Sequence, residues 1–408
     1  MIIAAMKTLN ALPIAAFLFG GLAVAASAPA PKPAAAPAAP KAAAASIPPI
    51  VVTVTNPMAA PRAQETITLS LAELVKQAPG FDGRKAIVTN KRGKEILSQL
   101  VDTNGDLKHD ELVFQTDLAA KGTATFKIKT GERKPAKVDQ YKVYGRFVRE
   151  RFDDFAWEND RVAHRMYGKA LETHPKEPLT SSGIDTWVKR VPRLVINDWF
   201  MTGNYHKDHG EGADYYSVGK SRGTGGLGIW AGGKLIVSKN FTSSRVLANG
   251  PIRLVFELSY APWDAAGSKI SETKRVTLDA GSQWNRMEST FTGHKGALSV
   301  GIGISKHPDS KVTVADSAMR VWEPLDGGKA GNLGTAIVVP GAKLEEHHGD
   351  SEYLVVTQVP SSGHLVYYMG SAWDRARKIR NEAAWTKEVQ SLATRVAEPV
   401  KVSLAVGK

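Results

Sequence analysis

From Gly250 to Pro360 the chain is a close succession of short segments that alternate apolar and polar residues: GPIRLVFELSYAPW, ETKRVTLDAG, WNRMESTFTG, ALSVGIGIS, MRVWEP, TAIVVPG and YLVVTQVP. Gly, Asp and Ser separate them, and no amphipathic stretch of helical length intervenes. A parallel sheet needs helices as crossovers, so the pattern predicts a large antiparallel β-sandwich. A helical pattern appears only near the end. There Trp385, Val389, Leu392 and Val396 share one face from about Asn381 until Pro399. This helix is expected to pack back on the sandwich before a final strand, VKVSLAV.

Upstream, IVVTVTN begins at Ile50 with the alternation of a strand, and Ser70 with Glu73 forms a capping box that opens a short helix through about Gln77. KAIVTN, EILSQLV, DELVFQT and TATFKIKT follow as strand candidates. Residues 48–135 therefore read as a small immunoglobulin-like β-sandwich. Residues 136–408 read as the large sandwich domain, carrying the C-terminal helix. The fold class is all-β. Near the start of the second domain, charged and aromatic residues gather at Asp153, Asp154, Trp157, Glu158 and Asp160, with Arg161, His164 and Arg165 at helical spacing.

Lys7 precedes an apolar run from Ala11 to Val24, and Ala23 and Ala25 are small residues suited to a cleavage site after Ala25. Residues 1–25 are expected to be a signal peptide, and Met6 offers an alternative start. Residues 26–47 are almost wholly Ala, Pro and Lys, the composition of a linker. With no cysteine, neither lipid attachment nor disulfides are available. The expectation is a soluble periplasmic or secreted protein that needs no membrane after signal cleavage. The net charge of +13 favours an anionic partner. Export and the lack of basic clusters interleaved with aromatics argue against nucleic acid. An acidic glycan fits both facts.

The densest chemistry lies in Asn197–Trp230, NDWFMTGNYHKDHGEGADYYSVGKSRGTGGLGIW. Glycines let backbone approach a ligand, while Tyr, His and Trp stack on or hydrogen-bond sugar rings. His206 and His209 are acid/base candidates, with Asp208 and Glu211 beside them to orient the imidazoles. Zinc is disfavoured, because glycines at 203, 210 and 212 oppose the helix that would converge the two histidines. Tyr215 can assist proton transfer. Arg222 can clamp a uronate carboxylate, and neutralising that carboxylate acidifies the adjacent C–H, the first requirement of β-elimination. Tyr205, Tyr216 and Trp230 are candidate stacking residues, and Glu158 and Asp160 candidate substrate contacts. Hydrolysis would instead use two facing carboxyls drawn from Asp208, Glu211, Asp214, Glu158 and Asp160. No cofactor is required by any of these readings.

Within the first domain Asp102, Asn104, Asp106 and Asp110 stand at positions one, three, five and nine of a loop, a spacing used to ligate calcium. Leu107 at six and Leu112 at twelve depart from an EF-hand. The alternatives are a structural calcium site and an Asx-rich hairpin turn.

Taken together, VTVTNP, DTNGDLKHDELVF, RFDDFAWEND, YHKDHGEGADYYSVGKSRGTGGLGIW and HLVYYMGSAWDRA resemble the secreted bacterial family catalogued as domain of unknown function 4861. The resemblance spans nearly all of the chain after the leader and implies an association with polysaccharide degradation. VTLDAGSQWNRMESTFTG also resembles the strand-turn-strand of galactose-mutarotase-like supersandwiches, a fold used by epimerases, lyases and accessory domains of hydrolases. The sequence thus points to a carbohydrate-active protein, lyase-like in its parts. A hydrolase or epimerase, or a non-catalytic glycan binder, uses the same residue types.

Overall fold

The computed structural model describes residues 47–407. The expected signal peptide, and all but the last residue of the expected linker, lie outside the described residues. Within them every named strand pair is antiparallel, and the strands form five sheets. The three α-helices are α1 (Leu71–Gln77), α2 (Ile196–Thr202) and α3 (Glu382–Ala397). None of the described helices is long and apolar enough to cross a membrane.

The first core is a small sandwich. Ile50, Val52 and Val54 alternate inward from Ile50–Thr55 and meet Ile67, Leu69, Leu112, Phe114, Phe126 and Ile128. Each such side chain removed from water contributes roughly 1.5–3 kcal/mol before the entropy of ordering it is set against it. Ser70 opens α1, its hydroxyl accepting the Glu73 N–H at 3.4 Å, as the capping pattern predicts. One expectation fails here. The final strand, Lys401–Val406, leaves the large sandwich and pairs with Ile50–Thr55, Val406 opposite Ile50. It covers an edge of the first sheet that would otherwise expose unpaired backbone groups.

The large sandwich sets an eight-stranded sheet, which includes Arg253–Ala265, Ser268–Asp279, Trp284–Thr292 and His364–Trp373, with a five-stranded sheet built on Thr224–Ala231, Leu298–Ser305 and Glu352–Val359. Phe256, Val276, Met287, Ile302, Val355 and Tyr367 fill its core. Asn381 caps α3 by accepting the Ala384 N–H at 2.9 Å. Trp385 stacks on Trp284 with ring centroids 5.2 Å apart. That seat requires glycine at 334, since a Cβ there would lie 2.7 Å from the Trp385 ring.

A third sheet positions the candidate site. Its strands are Gly212–Ala213, Ile184–Lys189, Ala163–Met166, Asp154–Asn159 and Val143–Val148, in that order. With a period of two, Phe155, Trp157, Met166 and Ile184 join the core of the large sandwich. The intervening residues Asp154, Ala156, Glu158, Ala163, Arg165, Asp185, Trp187 and Lys189 fall on the other face, where α2 packs through Ile196, Trp199 and Phe200. Arg161, His164 and Arg165 are therefore not neighbours on a helix, as their spacing suggests; His164 and Arg165 are strand residues on opposite faces.

On that second face Lys189 Nζ donates to Glu158 Oε2 at 2.6 Å and to the carbonyls of Asn159 and Arg193. The other Glu158 oxygen accepts the N–H groups of Val195 and Ile196 at 2.7 and 2.8 Å, fixing the start of α2 to the sheet. Both side chains are buried, so removing one partner strands the other charge out of water. Lys189→Met is expected to lower unfolding free energy by about 3–5 kcal/mol in urea denaturation. Adding Glu158→Gln to it should recover part of that loss, and a neutral single variant would contradict the assignment.

Candidate functional site

The same face carries a second charged group, four residues along each strand from the first. Arg165 lies opposite Asp185 in the ladder and donates to Asp185 Oδ2 from Nη2 at 2.6 Å and from Nε at 3.1 Å. Its Nη2 also reaches Asp214 Oδ2 at 3.3 Å, and its Nη1 lies 3.8 Å from Asp154 Oδ2 and 3.2 Å from the Tyr205 hydroxyl. The rings of Tyr167, Trp187 and Tyr205 surround the guanidinium at 5.3–5.6 Å. These faces favour a cation.

Three buried carboxyls thus share one buried guanidinium, with Arg151 a more distant cation already paired with Glu177. One oxygen each of Asp154, Asp185 and Asp214 is buried without a hydrogen-bond partner. Desolvation is the main cause that pushes Asp154 up to about 7, against the attraction of Arg165 and the Gly168 N–H. Burial, with Asp185 beside it, raises Asp214 well above the usual carboxylate range. For Arg165 burial opposes the charge, and the surrounding carboxylates more than reverse that. The cluster therefore holds a proton near neutral pH.

His206 stands over this cluster at the surface. Its Nδ1 is 3.3 Å from the Asp214 carbonyl and 3.5 Å from Asp214 Oδ2, and its ring packs on Tyr205 at 4.4 Å. Tyr205 is itself buried, stacked on Trp187 at 5.1 Å. An N–H on Nδ1 can donate to the Asp214 carbonyl, and that tautomer leaves Nε2 unprotonated. The imidazole is exposed where the carboxyls are not.

Gly203, in the left-handed region at φ 64°, ends α2 and turns the chain into the loop that carries His206. Asp214 N–H donates to the Tyr205 carbonyl at 2.8 Å and closes that loop. Asp208 accepts the N–H groups of Gly210 and Gly212 at 2.7 and 3.0 Å and pairs with Arg190. Glu211 accepts from Arg193 Nε at 2.6 Å, a contact that also lowers its carboxyl pKa. Both acids thus anchor the loop rather than flank an imidazole, and His209 is exposed beside them.

The remaining predicted residues are dispersed. Arg222 is buried, donating to Ser182 Oγ at 2.8 Å and the Lys220 carbonyl at 2.9 Å, so its charge faces protein. Tyr216 is buried with its hydroxyl on the Gly223 carbonyl at 3.1 Å, and Tyr215 is half-buried in the same apolar cluster. Trp230 belongs to another sheet, against His347. Glu158 serves the Lys189 pair already described, and Asp160 accepts the Gly281 N–H at 2.6 Å. In the first-domain loop, Asp102, Asn104, Asp106 and Asp110 each accept backbone N–H groups of that loop. Among the described residues no group of three or more His, Cys, Asp or Glu is arranged to hold a metal. The residue that sequence reading missed is Asp185; Asp154 was noted only as part of a charged stretch and Arg165 only at helical spacing within it. Their signal was the period-two placement of charge in DDFAWEN, AHRM and IDTWVK.

The chain belongs to the family described as Domain of unknown function (DUF4861), which matches residues 54–402. It is 33% identical over 380 residues to Uncharacterized protein P7 of Formosa agariphila, covering 87% of this chain and 93% of that protein. Among solved structures it is similar to an alpha-mannosidase from Enterococcus faecalis V583, with a TM-score of 0.47, 10% identity and coverage of 88% of this chain and 46% of that one. A second, a protein in the Glycosyl Hydrolase Family 38 from Enterococcus faecalis, gives a TM-score of 0.45 and 10% identity, covering 88% of this chain and 47% of that one. The chain spans about half the length of these two solved proteins.

The raised Asp154 carboxyl has a thermodynamic consequence. A group whose pKa rises from 3.8 to about 7 on folding contributes stability that is complete below the lower value and lost as pH climbs through the higher one. Asp154→Asn keeps an acceptor for the Gly168 N–H and cannot ionise. The melting temperature of the variant minus that of wild type is expected to rise steadily from about pH 4 to about pH 8. A difference that stays flat over that interval would show that Asp154 does not hold the proton.

Proposed function

We propose that this is an exported carbohydrate-active enzyme that acts on an acidic, uronate-containing glycan by acid/base chemistry at His206. The observation that carries the reading is an exposed imidazole whose Nδ1 faces a buried carboxyl group with a raised proton affinity. Such a pair keeps one ring nitrogen basic and gives the proton it gains a partner. In a lyase-like reaction His206 Nε2 removes the proton on the carbon next to the uronate carboxylate. The electrons of that C–H bond form the new C=C bond as the neighbouring C–O bond breaks. The leaving oxygen takes a proton from the protonated imidazole or from water, so charge and atoms balance.

Elimination is favoured over hydrolysis by burial. Hydrolysis needs two carboxyls facing the scissile bond. Asp185 and Asp214, which share Arg165 Nη2, are 1% and 5% exposed. Asp214 lies behind the imidazole and Asp185 holds Arg165, so neither is open to a substrate. The excess of basic residues suits the anionic ligand.

The test is incubation with a panel of uronate oligosaccharides, following absorbance of the unsaturated uronate and product mass. An unsaturated fragment is expected, and His206→Ala should reduce its formation roughly 100-fold or more with ligand affinity retained. A mass gain of water would mean hydrolysis, and an unchanged mass with a new stereoisomer would mean epimerisation. No product from the panel, with binding intact, would make the protein a non-catalytic glycan binder.

A further inference from the structure

The fold builds a second polar feature at the end of the strand Ile184–Lys189. A cavity of about 230 Å³ lies where the end of that strand meets Trp373 and the segment after it. Trp187, Leu333, Trp373 and Ile379 supply apolar wall, and Arg161, Arg190 and Lys378 bring positive charge to it. The volume is below the roughly 300 Å³ at which drug-sized sites begin, so it suits one small ring better than a chain.

The charge at this cavity is only partly balanced by the protein, since one lining acid, Asp160, attracts both Arg161 and Lys378. Trp373 is followed by DRARKIR, with cations at Arg375, Arg377, Lys378 and Arg380. Arg161, on the facing wall, has a buried Nε with no hydrogen-bond partner, and its Nη2 donates to the neutral Gln64 at 3.0 Å. The acid on the lining, Asp160, has one oxygen on the Gly281 N–H. Arg190 lies over the Trp373 ring at 4.5 Å and pairs with Asp208. Burial, and after it neighbouring cations, lower the proton affinity of both Arg190 and Lys378. Cations in excess of their matching acids repel one another, a cost that a bound anion relieves.

We infer that this cavity is a subsite for the carboxylate-bearing sugar of an acidic glycan, with Arg161 and Lys378 meeting the carboxylate and the apolar wall receiving the ring. The inference rests on the carbohydrate reading above and deepens it, moving carboxylate recognition from the buried Arg222 to this cleft. Arg190 connects the cleft with the catalytic loop: it lines the cavity, and its partner Asp208 is two residues beyond His206.

The test is equilibrium binding by calorimetry, using short oligomers of galacturonate, glucuronate and mannuronate, each beside its carboxyl-reduced neutral counterpart. At least one acidic oligomer should bind wild type ten-fold or more tightly than its neutral form. Arg161→Gln with Lys378→Gln should erase that preference, leaving affinity for the neutral form and the melting temperature unchanged. Retention of the preference in the double variant would overturn the inference, as would the lack of any preference in wild type. A sulfated neutral oligosaccharide bound more tightly than every uronate would overturn the carboxylate assignment. Because the readout is binding, failure of His206 as the acid/base group leaves this result standing, and failure here leaves the His206→Ala turnover result standing.

Discussion

The arrangement at the centre of this protein is one guanidinium held out of water among three carboxyls. Arg165 joins the strands bearing Asp154 and Asp185 to the loop residues Tyr205 and Asp214. Buried ion pairs of this kind seldom add net stability, because desolvation offsets the attraction. What they do is specify position: a one-residue slip of Ile184–Lys189 would turn Asp185 into the apolar core, and a two-residue slip would take it from opposite Arg165. The excess of carboxyl over guanidinium then has a chemical result. Desolvation raises the proton affinity of Asp154 and Asp214, and His206 is the exposed group beside Asp214.

Much of the fold is legible in the sequence. The strand succession, the Ser70 cap and the amphipathic face of α3 are local signals, written at periods of two and 3.6 that the structure reproduces. The pairing of Lys401–Val406 with Ile50–Thr55 is not local, and alternation alone does not say which sheet a terminal strand will join. The site was legible in part. His206, Tyr205 and Asp214 lie in the glycine-rich stretch that attracts notice by composition, and the structure brings them together. Arg222 drew the same notice, yet arginine chemistry does not reveal burial, and its charge is turned inward. Asp185 went unnoticed, and Arg165 was read as a helix residue, for a different reason. Charged residues on a strand ordinarily mark its solvated face, and here that face is covered by α2 and Tyr205.

The two polar features near the third sheet differ in the charge they gather. Burial raises the proton affinity of Asp154 and Asp214 in the cluster under His206, whereas the cleft near Trp373 sets Arg161 and Lys378 about one lining acid, Asp160. Arg190 lines the cleft and pairs with Asp208 of the His206 loop. The positive net charge of the chain supplies a long-range attraction of the same sign as the cleft.

The central claim is that a buried carboxyl beneath His206 stays protonated where an ordinary aspartate would be ionised. An NMR titration of the aspartate carboxyl carbons, assigned with Asp154→Asn and Asp214→Asn proteins, tests it directly. The account predicts that Asp154 titrates at about 7 and Asp214 well above the usual carboxylate range. Titration of both carboxyls below about pH 5, within the ordinary spread for aspartate, would contradict it.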